Sequence, residues 1–175
     1  MVSFFDRTEY RDEKTQYILY KKKKFTGKYF VKFDTLNIIT SVKNGIITRY
    51  LELFPDGTIK MRGRYSADRK NGLWTEYYPS GNVKSEKKFN LNTPKEWWFY
   101  YSEEGKQNRI EIYADGKIVT IGTPVYEDEN TVTQSRYYDV STTFYDAVSG
   151  KALYRKKERH FTEKNYVFQL EYTEL

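Results

Sequence analysis

The stretch "NGLWTEYYPSGNVKSEKKF", Asn71 to Phe89, decides how this chain is read. A similar stretch, "LELFPDGTIKMRGRY", starts at Leu51, and another, "WWFYYSEEGKQNRIEIY", starts at Trp97. Their central glycines, Gly57, Gly81 and Gly105, are spaced 24 residues apart both times. A fixed period of this size is the mark of a repeat array, in which each unit buries its apolar face only by stacking on its neighbours.

The chemistry inside the unit is that of a hairpin. In "FPDGT", Phe54 to Thr58, proline presets φ, aspartate tolerates the next turn position and glycine supplies φ > 0. "YPSGN" at Tyr78 keeps all three features, and "SEEGK" at Ser102 keeps the glycine. Aromatic and β-branched residues flank each turn, so each reads as a β-hairpin closed by a type I turn with a glycine bulge. Gly57, Gly81 and Gly105 are therefore turn residues. Carried outward, this register sets Leu53 opposite Ile59, Leu51 opposite Met61, Glu52 opposite Lys60 and Tyr50 opposite Arg62. The second hairpin sets Tyr77 opposite Val83 and Glu76 opposite Lys84, so a Glu–Lys cross-strand pair recurs. The third sets Tyr101 opposite Gln107 and Tyr100 opposite Asn108. Tyr50, Trp74 and Trp98 are equivalent positions, as are Tyr65, Phe89 and Tyr113, which predicts a ladder of rings across the array. In this register Tyr50 and Trp74 share a face with Lys60, Arg62, Arg64, Lys84 and Lys88. Trp98, in an almost wholly aromatic strand, is expected to be structural, and Trp74 to lie closer to the surface.

The unit NG-x-W-x-x-YY-x-x-G-x-x-K-x-E-x-x-F is filled by Asn71, Gly72, Trp74, Tyr77, Tyr78, Gly81, Lys84, Glu86 and Phe89. It resembles the bacterial variant of the MORN repeat. The resemblance covers 44 to 119: one unit matches well, two match in part, and "YADGKIV" at Tyr113 opens like a fourth. It departs at Lys95-Glu96-Trp97-Trp98, where the inter-repeat glycine is missing, and in the longer lead-in to the first unit. The resemblance implies an elongated, single-layer antiparallel sheet of stacked hairpins. It also implies a functional class, because many bacterial members are YwqK-type antitoxins of toxin–antitoxin modules.

The flanks read as strands too: "GKYFVKF" and "LNIITSV" before the array, "RYYDVSTTFYD" and "NYVFQLEYTEL" after it. Ala152 to His160 also contains good helix formers, with strand the preferred reading. The expected organisation is one all-β domain over 1–175: an N-terminal β cap (1–43), the repeats (44–118) and a C-terminal β cap (119–175). Lys21 to Lys24 then reads as a charged guard on a sheet edge.

Composition narrows the function. The chain has 175 residues, 18 Tyr, 11 Phe, 3 Trp and no cysteine, which removes thiolate nucleophiles, thiolate metal sites and disulfides together. His160 is the only histidine, so no histidine cluster exists to hold a metal. Nucleophile elbows and phosphate-binding glycine loops are absent. Carboxylates are plentiful, but nothing in their spacing brings two together. No enzyme, cofactor or metal is expected. The amino terminus, "MVSFFDRTEYRDEKTQY", lacks a basic start followed by an apolar run, and no window is long and apolar enough to span a bilayer. A cytoplasmic protein is the expectation.

The net charge of +6 is uneven. Residues 1–43 hold 10 Lys+Arg against 5 Asp+Glu, and residues 119–175 hold 7 against 9. Basic residues interleaved with rings suit a nucleic-acid strand, although interleaved Glu52, Glu76 and Glu86 dilute that field. A wide β surface carrying aromatics and arginine equally suits a protein. The leading expectation is non-catalytic protein binding: an antitoxin or immunity protein holding a cognate toxin. Tyr50, Arg62, Trp74, Tyr78, Trp97 and Trp98 are the candidate contact residues. A basic inhibitor implies an acidic patch on its target or blockage by shape. Nucleic-acid binding and a scaffold role with self-association are the alternatives.

Overall fold

The computed structural model describes residues 2–3, 10–11, 17–33, 36–126, 130–132, 135–161 and 167–175. Most of the amino-terminal stretch read for a leader lies outside them. Among the described residues there is no helix and the chain is all-β. The strands are β1 (Val2–Ser3), β2 (Tyr10–Arg11), β3 (Ile18–Tyr20), β4 (Lys23–Lys24), β5 (Gly27–Phe33), β6 (Leu36–Lys43), β7 (Ile46–Leu53), β8 (Ile59–Ser66) and β9 (Arg69–Tyr77). They continue as β10 (Val83–Asn90), β11 (Thr93–Pro94), β12 (Glu96–Tyr101), β13 (Gln107–Ala114), β14 (Lys117–Tyr126), β15 (Asn130–Val132), β16 (Ser135–Asp146), β17 (Ala152–Phe161) and β18 (Val167–Glu174). From β5 to β18 the long strands pair antiparallel in chain order, so one extended sheet is built almost entirely from consecutive hairpins. The flanks extend that sheet at both ends, and Ala152 to His160 is strand.

Strands β2, β3 and β4 form a small separate sheet. It rests on the turn at Gly45, where Ile18 N–H donates to Gly45 O at 2.8 Å and Gly45 N–H to Phe25 O at 2.7 Å. The lysine run belongs to this small sheet rather than to an edge of the large one: Lys21 and Lys22 make its turn, and Lys24 Nζ sits 3.7 Å over the Tyr17 ring. The run thus lies at a sheet edge, that of the small sheet, whose exposed end strand is β4.

The three turns repeat in atomic detail. Phe54 N–H donates to Thr58 O at 2.8 Å, Tyr78 N–H to Asn82 O at 2.9 Å, and Ser102 N–H to Lys106 O at 2.7 Å. Gly57, Gly81 and Gly105 have φ of 90°, 88° and 84°, a region open to glycine and costly for other residues. At the opposite ends of the strands, two-residue turns at Asn44-Gly45, Ala67-Asp68, Leu91-Asn92 and Asp115-Gly116 all have φ > 0 at both residues, as tight hairpins require. The inter-repeat turn thus falls at Ala67-Asp68, and Asn71-Gly72 lies inside β9. Glu96, at the place of Gly72 in the next unit, takes the same left-handed backbone, with φ 59° against 72°.

Each hairpin carries one extra residue just after its turn. Leu53 pairs with Ile59, but Glu52 pairs with Met61; Tyr77 pairs with Val83, but Glu76 with Ser85; Tyr101 pairs with Gln107, but Tyr100 with Arg109. Lys60, Lys84 and Asn108 are the bulged residues. Beyond a bulge every side chain changes face relative to an unbulged ladder. The expected pairs Leu53–Ile59, Tyr77–Val83 and Tyr101–Gln107 hold. Leu51–Met61 and Tyr50–Arg62 do not: Leu51 pairs with Arg62 and Tyr50 with Gly63. Tyr100–Asn108 likewise gives way to Tyr100–Arg109. The Glu–Lys contacts survive, because a bulged lysine still reaches its glutamate: Lys60 Nζ lies 2.8 Å from Glu52 and Lys84 Nζ 2.9 Å from Glu76.

Candidate functional site

The bulges separate two faces of different character. One carries the ladder. Tyr50 and Trp74 are 5.5 Å apart, Tyr65 and Trp74 5.1 Å, Trp74 and Phe89 6.5 Å, Phe89 and Trp98 5.0 Å, and Trp98 and Tyr113 4.4 Å. Trp74 is only 4% exposed. A single-layer sheet buries it by two means. Its indole lies flat over Gly63, where a Cβ would stand 2.2 Å from Cδ2. Lys70 Nζ closes over the ring at 4.5 Å, a cation–π contact. The indole N–H donates to Arg64 O at 3.1 Å; in the next unit Trp98 donates to Lys88 O at 2.9 Å.

Charges on the ladder face are matched. Tyr50 donates to Glu52 at 3.0 Å. Glu111, 7% exposed, accepts from Tyr100 at 2.8 Å, Tyr113 at 3.0 Å and Arg109 Nε at 2.7 Å. Burial pushes its pKa up, but the hydrogen bonds from Tyr100, Arg109 and Tyr113 outweigh it, and the carboxyl sits below its ordinary range. Lys87 Nζ lies 5.0 Å over the Tyr100 ring. This face holds the fold together.

The other face is where the candidate site lies. From Gly122 onward it packs around Phe144, which is 1% exposed, lies against Gly122, stacks on Tyr154 at 4.6 Å and meets the edge-on ring of Trp97 at 6.0 Å; farther along, Lys156 and Glu158 pair on it at 2.8 Å. Two strands, β13 and β14, separate Trp97 from Phe144. On a flat sheet β12 and β16, which carry them, would stand roughly 14 Å apart, so this face curls inward and its rings lean together. Toward β5 the same face opens into a groove of about 610 Å³. Ile39, Leu51 and Leu73 supply its apolar lining, and Lys28, Arg49, Arg62 and Arg64 its charge. Lys28 pairs with Ser41, Ser41 with Arg49, and Arg49 directly with Arg64. Arg62 also lies 5.4 Å from the Tyr77 ring centre.

The candidate contact residues therefore divide. Tyr50, Trp74 and Trp98 belong to the ladder face, with Arg62 on the opposite one, so the expectation that Tyr50 and Trp74 share a face with Arg62 and Arg64 is overturned by the bulge at Lys60. The ranking of the tryptophans reverses as well: Trp74 is the buried one and Trp98 is half-buried. Tyr78 is structural, its hydroxyl donating to Tyr101 O at 2.8 Å and tying one turn to the next hairpin. Trp97, 42% exposed, and Arg62 remain on the groove face. Arg49, Leu73 and Lys28 were missed. The signal for them was Gly63 in "MRGRY", since a glycine inside a strand marks a bulge or a close approach.

His160 lies in β17 at the register position of Tyr138. No group of three or more His, Asp or Glu among the described residues is placed to hold a metal, and no helix among them is long and apolar enough to cross a membrane. The fold and the site define an all-β repeat sheet with one cation-lined, partly apolar groove. Comparison with family models, curated proteins and solved structures finds no match for the chain.

Proposed function

We propose that this chain is a non-catalytic protein-binding β-repeat protein, most concretely an antitoxin or immunity protein that holds a cognate toxin. The observation that carries this reading is the contrast between faces: one is self-satisfied, while the other presents exposed Trp97, Leu73 and Arg62 on a curled surface. Tryptophan and arginine on a concave surface are the residues that anchor protein partners. The hairpin unit's resemblance to the bacterial MORN-repeat variant supports the antitoxin form of the reading.

The test is coexpression of the tagged chain with the product of the neighbouring gene. Co-purification in a fixed ratio, with relief of that product's toxicity to growth, is expected. A neighbour whose toxicity is unchanged removes the antitoxin reading. Tight RNA binding that falls steeply with salt, through counterion release, would replace it with the nucleic-acid alternative.

A further inference from the structure

We infer that the groove of β5–β9 is a docking site for an extended acidic segment of the partner protein, one that carries apolar side chains between its carboxylates. This rests on the protein-binding reading above and adds the chemistry of what is bound. The argument is a charge imbalance between faces. On the ladder face Lys60, Lys84 and Arg109 lie within 2.9 Å of a glutamate, and Lys70 and Lys87 cover rings. In the groove no carboxylate lies within ion-pair distance of Lys28, Arg49, Arg62 or Arg64 among the described residues, no acidic residue lines it, and of these four cations Arg62 lies over a ring, that of Tyr77. Arg49 and Arg64 stand directly opposite one another on adjacent strands. Like charges in that position oppose folding. An anion set between two guanidinium groups reverses that cost, and a carboxylate fits the fork bidentately.

The lining selects among anions. Ile39, Leu51 and Leu73 offer aliphatic contact, with Leu73 53% exposed. A single-stranded nucleic acid binds through exposed rings on which its bases stack. The groove's own lining holds one ring, Tyr50, which is turned into the ladder and hydrogen-bonded to Glu52; Trp97, the exposed ring on this face, lies outside that lining. Carboxylates with aliphatic side chains match this site; phosphates with bases do not.

The probe is a fluorescein-labelled peptide of about nine residues, glutamate and leucine in mixed order, long enough to cross five strands at about 4.8 Å each. Its anisotropy is read with the full chain at low salt, beside a glutamine–leucine peptide and an oligothymidylate of equal length. Saturable binding of the acidic peptide alone is expected. Arg49→Gln with Arg64→Gln should weaken it by about tenfold or more, while Lys84→Gln leaves it unchanged. The double variant should melt no lower than the parent, since it removes a repulsion. Tighter binding of the oligothymidylate, no saturable peptide binding, or equal loss in Lys84→Gln would each overturn the assignment. So would a lowered melting temperature in the double variant, which would make the arginines structural. If the neighbouring gene product binds the double variant as tightly as the parent, the groove assignment falls and the protein-binding reading stands. If it binds neither form, that reading falls too.

Discussion

Trp74 shows how one residue is buried without a second layer. Its ring is walled by Tyr50, Tyr65 and Phe89, floored by Gly63 and roofed by Lys70. Trp74→Ala should therefore cost about 3–5 kcal/mol, the range for emptying a large aromatic site. Trp98→Ala, at a half-buried position, should cost clearly less. Urea unfolding of both variants gives the comparison, and equal costs would contradict the burial difference. Gly63 is the other half of the device. Any side chain there meets the indole, so Gly63→Ala is destabilising by about 1–3 kcal/mol through overpacking.

At the scale of the element, the hairpin is the unit that repeats. The three turn glycines share a left-handed φ, and a Cβ added at any of them meets nothing within 4 Å. Substitution by alanine should thus cost only backbone strain, about 1–2 kcal/mol at each site. The three costs should be alike, and additive in the triple variant because they lie on separate hairpins. A cost at Gly105 well below that at Gly57 would mean that the proline of the first turn, absent from the third, matters more than φ.

The hairpins also set the pH limits of stability. Glu111 and Asp139 both titrate below their ordinary values: Asp139 because Arg159 bonds both its oxygens, at 2.6 and 2.8 Å, and Glu111 because three donors outweigh its burial. A depressed folded pKa gives stability that is present above the unfolded value and lost as pH falls through the folded one. Melting temperature should therefore drop as pH falls below about 4.5, the ordinary glutamate value. Glu111→Gln should make that limb shallower. Tyr101 and Tyr113 move the other way, to about 12, chiefly because of burial and then of Glu86 and Glu111 beside them. A raised pKa gives stability that is whole below 10.0 and lost toward 12. With 18 tyrosines in the chain, the phenolate signal of these two is read as the difference between the parent and the Tyr101→Phe/Tyr113→Phe variant, and it should appear together with the change in circular dichroism in that window. A difference signal already present at pH 10 with the fold intact would show these hydroxyls to be freely ionised.

At the scale of the whole molecule, the sheet is asymmetric. One face spends its rings and charges on itself, and the other keeps a half packed around Phe144, a cationic groove and Trp97 near their junction. Trp97→Ala should leave the fold nearly as stable as the parent, at less than half the cost of Trp74→Ala. It should weaken the partner complex by about 2 kcal/mol or more, as an interface anchor does. Calorimetric titration with the purified partner, beside a thermal melt, measures both. Intact binding by Trp97→Ala would move the contact surface elsewhere on the sheet.

The turns, the 24-residue period and the ladder of equivalent rings were legible in the chain alone, because each depends on residues close in sequence. Proline, aspartate and glycine choose a turn locally, and a period carries each ring to its counterpart. The recurring Glu–Lys pairs were legible as contacts but misleading as register, since a bulged lysine reaches its glutamate as well as an opposed one would. What tertiary structure alone decided is which face each residue takes. A single inserted residue after each turn reverses the faces of everything beyond it, and the ladder that settles on Gly63 needs that reversal. Arg62 and Arg64 were thereby parted from Tyr50 and Trp74 and brought beside Arg49 and Lys28. The groove they form joins five strands, and no local rule of propensity or spacing reaches across that distance.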